Sequence, residues 1–76
     1  MQKSLKDFNI GESGNVLKLL LDGRLKKRLY DMGITPSVKI KLVKVAPLGD
    51  PIQISLRGYD LTLRKDDAQF ILMEVE

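Results

Sequence analysis

A mainly β fold, built as a small antiparallel barrel, is predicted by three features of this 76-residue chain. Apolar and polar residues alternate across residues 52–63 on either side of a glycine. A similar alternation slips by one position within residues 38–45, and a single helical stripe interrupts the strand pattern. The chain is short enough for one domain around one core, because chains divide into domains only well beyond this size.

In chain order, Ser4 followed by Asp7 is a capping pattern, so residues 4–8 read as one helical turn with Leu5 and Phe8 directed inward. Residues 9–15, NIGESGN, read as a turn-rich connection. Val16, Leu17, Leu19, Leu20 and Leu21 follow almost without interruption and predict a buried first strand bounded by Gly14 and Gly23. Over residues 24–32 the period changes. Leu25, Leu29 and Met32 fall at i, i+4 and i+7, one apolar stripe on a short helix. Asp22 is placed to cap its start, Gly33 to end it in a left-handed conformation, and Pro36 to prevent continuation.

Val38, Ile40 and Leu42 alternate with Lys39 and Lys41, and the phase then shifts to Val43 and Val45 around Lys44, which predicts a bulge in a bending strand. Ile52, Ile54 and Leu56, followed after Gly58 by Tyr59, Leu61 and Leu63, predict a hairpin with one apolar face. Asp66 with Gln69 repeats the capping pattern ahead of a last strand containing Phe70, Ile71, Leu72, Met73 and Val75. The sum is five strands, with one short helix between strands one and two. Five curved antiparallel strands in so few residues close most economically as a barrel, because closure removes exposed edges. The expectation is an SH3-like barrel, with an OB-like barrel as the alternative. Residues 70–75 are the candidate edge for weak pairing of two copies.

Composition narrows the function. The chain has no cysteine and no histidine. Without cysteine there is no disulfide framework, zinc ribbon or redox site, and a reducing compartment fits. Ser4, Ser13, Ser37 and Ser55 therefore lack an imidazole partner, while Lys39, Lys41 and Lys44 occupy the wet face of a strand, so no catalytic activity is expected. The acidic residues are scattered without a metal-binding spacing, and Asp66 with Asp67 reads as a cap and its dipole complement. No cofactor or metal is expected. The segment GESGN lacks the Gly-Lys-Ser/Thr ending of a phosphate loop and reads as a turn. No run approaches the roughly 18 apolar residues of a membrane span, so a cytoplasmic protein is expected.

Two features remain for contact with a partner. Arg24, Lys26, Lys27 and Arg28 form the one basic cluster of a chain with net charge +3. As a plain feature it is a solvated helix face. Pro47, Leu48, Gly49, Asp50 and Pro51 place an apolar residue at the tip of a loop stiffened by prolines. As a plain feature, Leu48 folds back and seals the mouth of the barrel. The functional reading of both is a docking surface, because a rigid loop has little entropy left to lose on binding. The alternative is a small nucleic-acid-binding β-barrel, which needs stacking aromatics beside the basic helix. The aromatics are only Phe8, Tyr30, Tyr59 and Phe70, and at least two of them have a core pattern.

The run LYDMGITPSVKIKLVKVAPLGDPIQISLRGYDLTLRKDDAQFILM, residues 29–73, closely resembles the FeoA family of small cytosolic proteins of bacterial ferrous iron uptake. The features that carry the resemblance are the helix ending in LYDMGI, the APLGDP loop between strands, and the RGYDLTLR hairpin leading to an alanine-containing turn. The upstream segment GESGNVLKLLLDGRLKKR also fits, so nearly the whole chain is covered. One departure is Ser37, where the family often has Gly after Pro. The resemblance implies an SH3-like barrel acting as an accessory or regulator beside a membrane permease, FeoB, that carries a cytoplasmic GTPase domain. The expected partner is that GTPase-containing region. The expected contacts are Arg24, Lys27 and Arg28 on the helix and Pro47, Leu48, Gly49, Asp50 and Pro51 on the loop.

Overall fold

The chain opens with strand β1 (Gln2–Ser4), which passes into a 3-10 turn at Leu5–Asp7. The computed structural model describes all residues, Met1–Glu76. The Ser4 side chain accepts from the Lys6 N–H at the start of this turn, and Leu5 and Phe8 are both buried, as their spacing predicts. Strand β2 (Ser13–Leu19), helix α1 (Arg24–Asp31) and strand β3 (Lys39–Val45) follow. Strands β4 (Ile52–Leu56) and β5 (Tyr59–Leu63) form the hairpin, and a one-turn helix α2 (Lys65–Ala68) leads to strand β6 (Ile71–Val75).

The strands make one antiparallel sheet in the order β1-β6-β2-β3-β4-β5. The predicted fold class stands, with a sixth strand added at the N-terminus and with the sheet left open, since β1 and β5 do not pair. Alternate residues of the curved sheet converge on one core. Ile40, Leu42, Ile54, Ile71 and Met73 are buried there together with Leu5, Leu29 and Ile34. No polar or charged residue is buried among them, so the core carries no unpaired polar group to offset hydrophobic burial.

The bulge predicted in the third stretch lies between Leu42 and Lys44, where Val43 has no counterpart on β4. The Arg57-Gly58 turn has positive φ at both residues, 50° and 85°, the two-residue geometry that matches the twist of a hairpin. Gly33, at φ 95°, ends the helical segment as expected.

Several local expectations are corrected. Gly14 lies inside β2 rather than at its boundary, since it pairs with Ile40 on β3 and Val75 on β6, and a Cβ there would stand 2.3 Å from the Glu74 carbonyl oxygen. The apolar run of the first strand is not uniformly buried. A register shift between Val16 and Lys18 turns Leu17 to the surface, and Leu20 beyond the strand is also exposed. Asp22 does not cap α1. Gly23 is the capping residue and makes no side-chain bond, while Asp22 stands 3.9 Å from Lys26. Asp66 does not cap α2 either, since Arg64 occupies that position. Residues 70–75 are not an edge, because β6 lies between β1 and β2.

Candidate docking surface

Helix α1 turns Leu29 into the core and Leu25 partly into it, which leaves its opposite face to the basic residues. The cluster is not uniform. Arg28 Nη2 donates to Asp67 Oδ2 of α2 at 3.3 Å. Lys26 is held near Asp22 and lies 5.9 Å from the centre of the Tyr30 ring. Arg24 and Lys27 are exposed and form no ion pair within the chain. Two of the three basic residues expected at the surface are therefore free for a partner, whereas Arg28 is already engaged.

The loop between β3 and β4 departs most from its plain reading. Leu48 is 97% exposed and does not seal the core. Two backbone bonds hold its tip: Gly49 N–H to Ala46 C=O at 2.8 Å, and Ala46 N–H to Pro51 C=O at 3.0 Å. Gly49 adopts φ 90°, which turns the chain directly after Leu48. Asp50 then accepts from the Lys65 backbone N–H at 3.0 Å. The loop is thus tied at its base and to α2, with Pro47, Leu48 and Pro51 exposed. A shallow groove lies between Ala46, Pro47 and Pro51 on the loop and Lys44, Gln53 and Thr62 on the strands.

Helix α2 links the two features. Its first residue is capped by Asp50 from the loop, and its Asp67 receives Arg28 from α1. Sequence reasoning identified the loop and the basic helix but missed Lys65 and Asp67 as their common support. One signal for the first was present. Arg64 cannot cap a helix with its side chain, so the exposed N–H groups of α2 require an acceptor from elsewhere.

Away from this surface, Glu12 organises the turn after the 3-10 segment. Its carboxylate accepts the Asn9 N–H at 2.6 Å and the Lys3 ammonium at 2.8 Å. These two donors, the backbone bond first, hold its pKa below the ordinary glutamate value. No group of three or more His, Cys, Asp or Glu side chains is placed to hold a metal ion. No helix is long and apolar enough to cross a membrane.

Fold and surface together define a small SH3-like domain with a braced apolar loop tip. The FeoA domain matches residues 3–75, and the chain belongs to the FeoA family. A curated relative in Porphyromonas gingivalis, a fusion of Fe(2+) transport protein A with the Fe(2+) transporter FeoB, is 30% identical over 71 residues. That match covers 93% of this chain but 8% of the fusion protein's length. The solution structure of a FeoA-like protein from Clostridium acetobutylicum superimposes with a TM-score of 0.91 at 36% identity, covering 97% of this chain and 86% of that one. FeoA of Stenotrophomonas maltophilia, solved with zinc and described as a procaryotic SH3 domain protein, has a TM-score of 0.80 over 93% of this chain and 88% of that one. At 19% identity that likeness concerns the fold alone.

Proposed function

We propose that this chain is a non-enzymatic accessory protein of bacterial ferrous iron uptake that docks on the cytoplasmic, GTPase-containing part of a FeoB-type permease. The observation that carries the reading is the Porphyromonas gingivalis relative, in which a domain matching nearly all of this chain is fused to the transporter. Fusion supplies a high effective concentration of one part for the other. Such linkage is useful where the two act together. Leu48 supplies the apolar contact, because a solvated leucine on a loop held at both ends loses little entropy when covered. Arg24 and Lys27 add charge complementarity and raise the rate of encounter with an acidic patch. The protein works in the cytoplasm, at the membrane only through its partner.

The test is an amide chemical-shift titration of the labelled protein with the soluble GTPase portion of its cognate transporter, with and without guanine nucleotide. Saturable shifts at the loop and α1, lost in Leu48→Asp and weakened in Arg24→Glu with Lys27→Glu, are the expected result. Binding unchanged in both variants would remove the named surface. A steep fall of affinity for an oligonucleotide with rising salt, with no response to the transporter, would favour the nucleic-acid reading instead.

A further inference from the structure

The sheet has two free edges, β1 and β5, and only one of them is protected. β1 is three residues long and carries Lys3, both of which discourage pairing with another chain. β5 has five residues, no Lys, no Pro, and an unbroken register with β4. Its backbone groups are oriented by the hairpin. Arg57 and Gly58 alone separate Leu56 from Tyr59, so these two form the hydrogen-bonded closing pair. Alternation along an antiparallel ladder then turns Leu61 and Leu63 toward β4, and the N–H and C=O groups of Asp60 and Thr62 away from it. Neither Asp60 nor Thr62 makes a backbone hydrogen bond to a turn or loop.

We propose that this edge takes a second copy of the same chain, paired antiparallel about a two-fold axis through Thr62. In that register Thr62 faces the second copy's Thr62, Leu61 faces Leu63, and Asp60 faces Arg64. Asp60, Thr62 and Arg64 are exposed, while Leu61 and Leu63 point toward the core side. The register is chosen by charge. Arg64 has no ion pair within the chain, and the Asp60 carboxylate takes only the Gln53 amide at 2.9 Å. Symmetry forms the Asp60 to Arg64 pair twice. A slip of one pairing step places Asp60 opposite Thr62 and loses both, and a further slip sets Asp60 against Asp60, which repels. The Arg64 carbonyl already receives the Asp67 and Ala68 N–H groups, so Arg64 contributes its N–H, reaching the second copy's Asp60 carbonyl. So short a ladder makes a reversible, concentration-dependent dimer, whose Thr62 and Arg64 lie beside Pro51 of the loop.

Sedimentation equilibrium over rising protein concentration tests this. The expected mass climbs from 8.6 kDa toward twice that value. Thr62→Pro deletes the axial donors without touching the bonds to β4, and weakens the dimer about tenfold or more. Asp60→Arg, an exposed change that keeps the fold even if the proline variant does not, weakens it as well. Adding Arg64→Asp to Asp60→Arg restores it. A mass fixed at 8.6 kDa at every concentration, a dimer indifferent to both single variants, or a double variant that stays monomeric overturns the proposal. So does protection of the Asp60 and Thr62 amides by an extended transporter segment while the chain alone remains monomeric.

Discussion

Asp50 caps a helix to which it does not belong: its carboxylate accepts from the Lys65 backbone N–H at 3.0 Å, fifteen residues further along the chain. The residue two places after the exposed Leu48 therefore fixes the loop to α2, and α2 holds Arg28 through Asp67. Loop and basic helix are one supported surface for this reason. Replacing Asp50 by Ala should cost about 1 kcal/mol of stability, the usual worth of a helix cap. Asp50→Asn should retain most of it, because an amide oxygen still accepts. Urea denaturation of the two variants decides the point, and equal stability of Asp50→Ala and the parent would mean that the bond has no weight.

Gly14 lies against the backbone of β6. A Cβ there stands 2.3 Å from the Glu74 carbonyl oxygen and 3.0 Å from its carbon, and backbone atoms inside a ladder cannot yield as a side-chain tip can. Gly14→Ala should destabilise by about 3 kcal/mol, at the upper end of overpacking costs. Lys18→Ala, at an exposed position of the same strand, should change stability by less than about 0.5 kcal/mol. Similar midpoints for the two variants would show that β2 and β6 separate more readily than their pairing implies.

Ser37 is a non-glycine residue with φ 77°. A left-handed residue with a Cβ costs about 1–2 kcal/mol, and part of that returns when glycine loses its extra freedom on folding. Ser37→Gly should therefore raise stability by several tenths of a kcal/mol. Its Nδ2 neighbour Asn15 reaches the Ser37 carbonyl, not its side chain, so no bond is lost. A lower thermal midpoint for Ser37→Gly would contradict this account.

Glu12 gives the fold an acid-sensitive point. Its folded pKa is depressed below the ordinary value by the Asn9 N–H and the Lys3 ammonium. A depressed carboxylate contributes stability that is present above its unfolded pKa and lost as pH falls through its folded pKa. Glu12→Gln should thus be less stable than the parent at neutral pH, and the gap should narrow on acidification below the usual glutamate range. Parallel stability curves for the two proteins at all pH values would assign the acid response elsewhere.

Much of the fold was legible in the sequence because it depends on neighbours. The stripe of Leu25, Leu29 and Met32, the stop at Gly33, the phase slip at Val43 and the two-residue turn at Gly58 are each written within a few residues, where period and allowed φ act directly. The site was legible only in part. The loop and the basic helix stand out by composition, but the choice between Leu48 as a seal on the barrel and Leu48 as an exposed contact needs the structure, where it lies in solvent, since hydrophobicity alone does not say whether a core still has room.

The sequence by itself determined the types of the elements after β1, the inward faces of β3 and β4, and the family, through local period, turn chemistry and motif. Tertiary structure alone decided the order of the strands, the open edge at β5, the central place of β6 between β1 and β2, and the capping of α2 by Asp50. These are pairings between residues far apart in the chain. Their outcome depends on which backbone and carboxylate groups are left without partners once the core has closed, and that quantity exists only in the folded molecule.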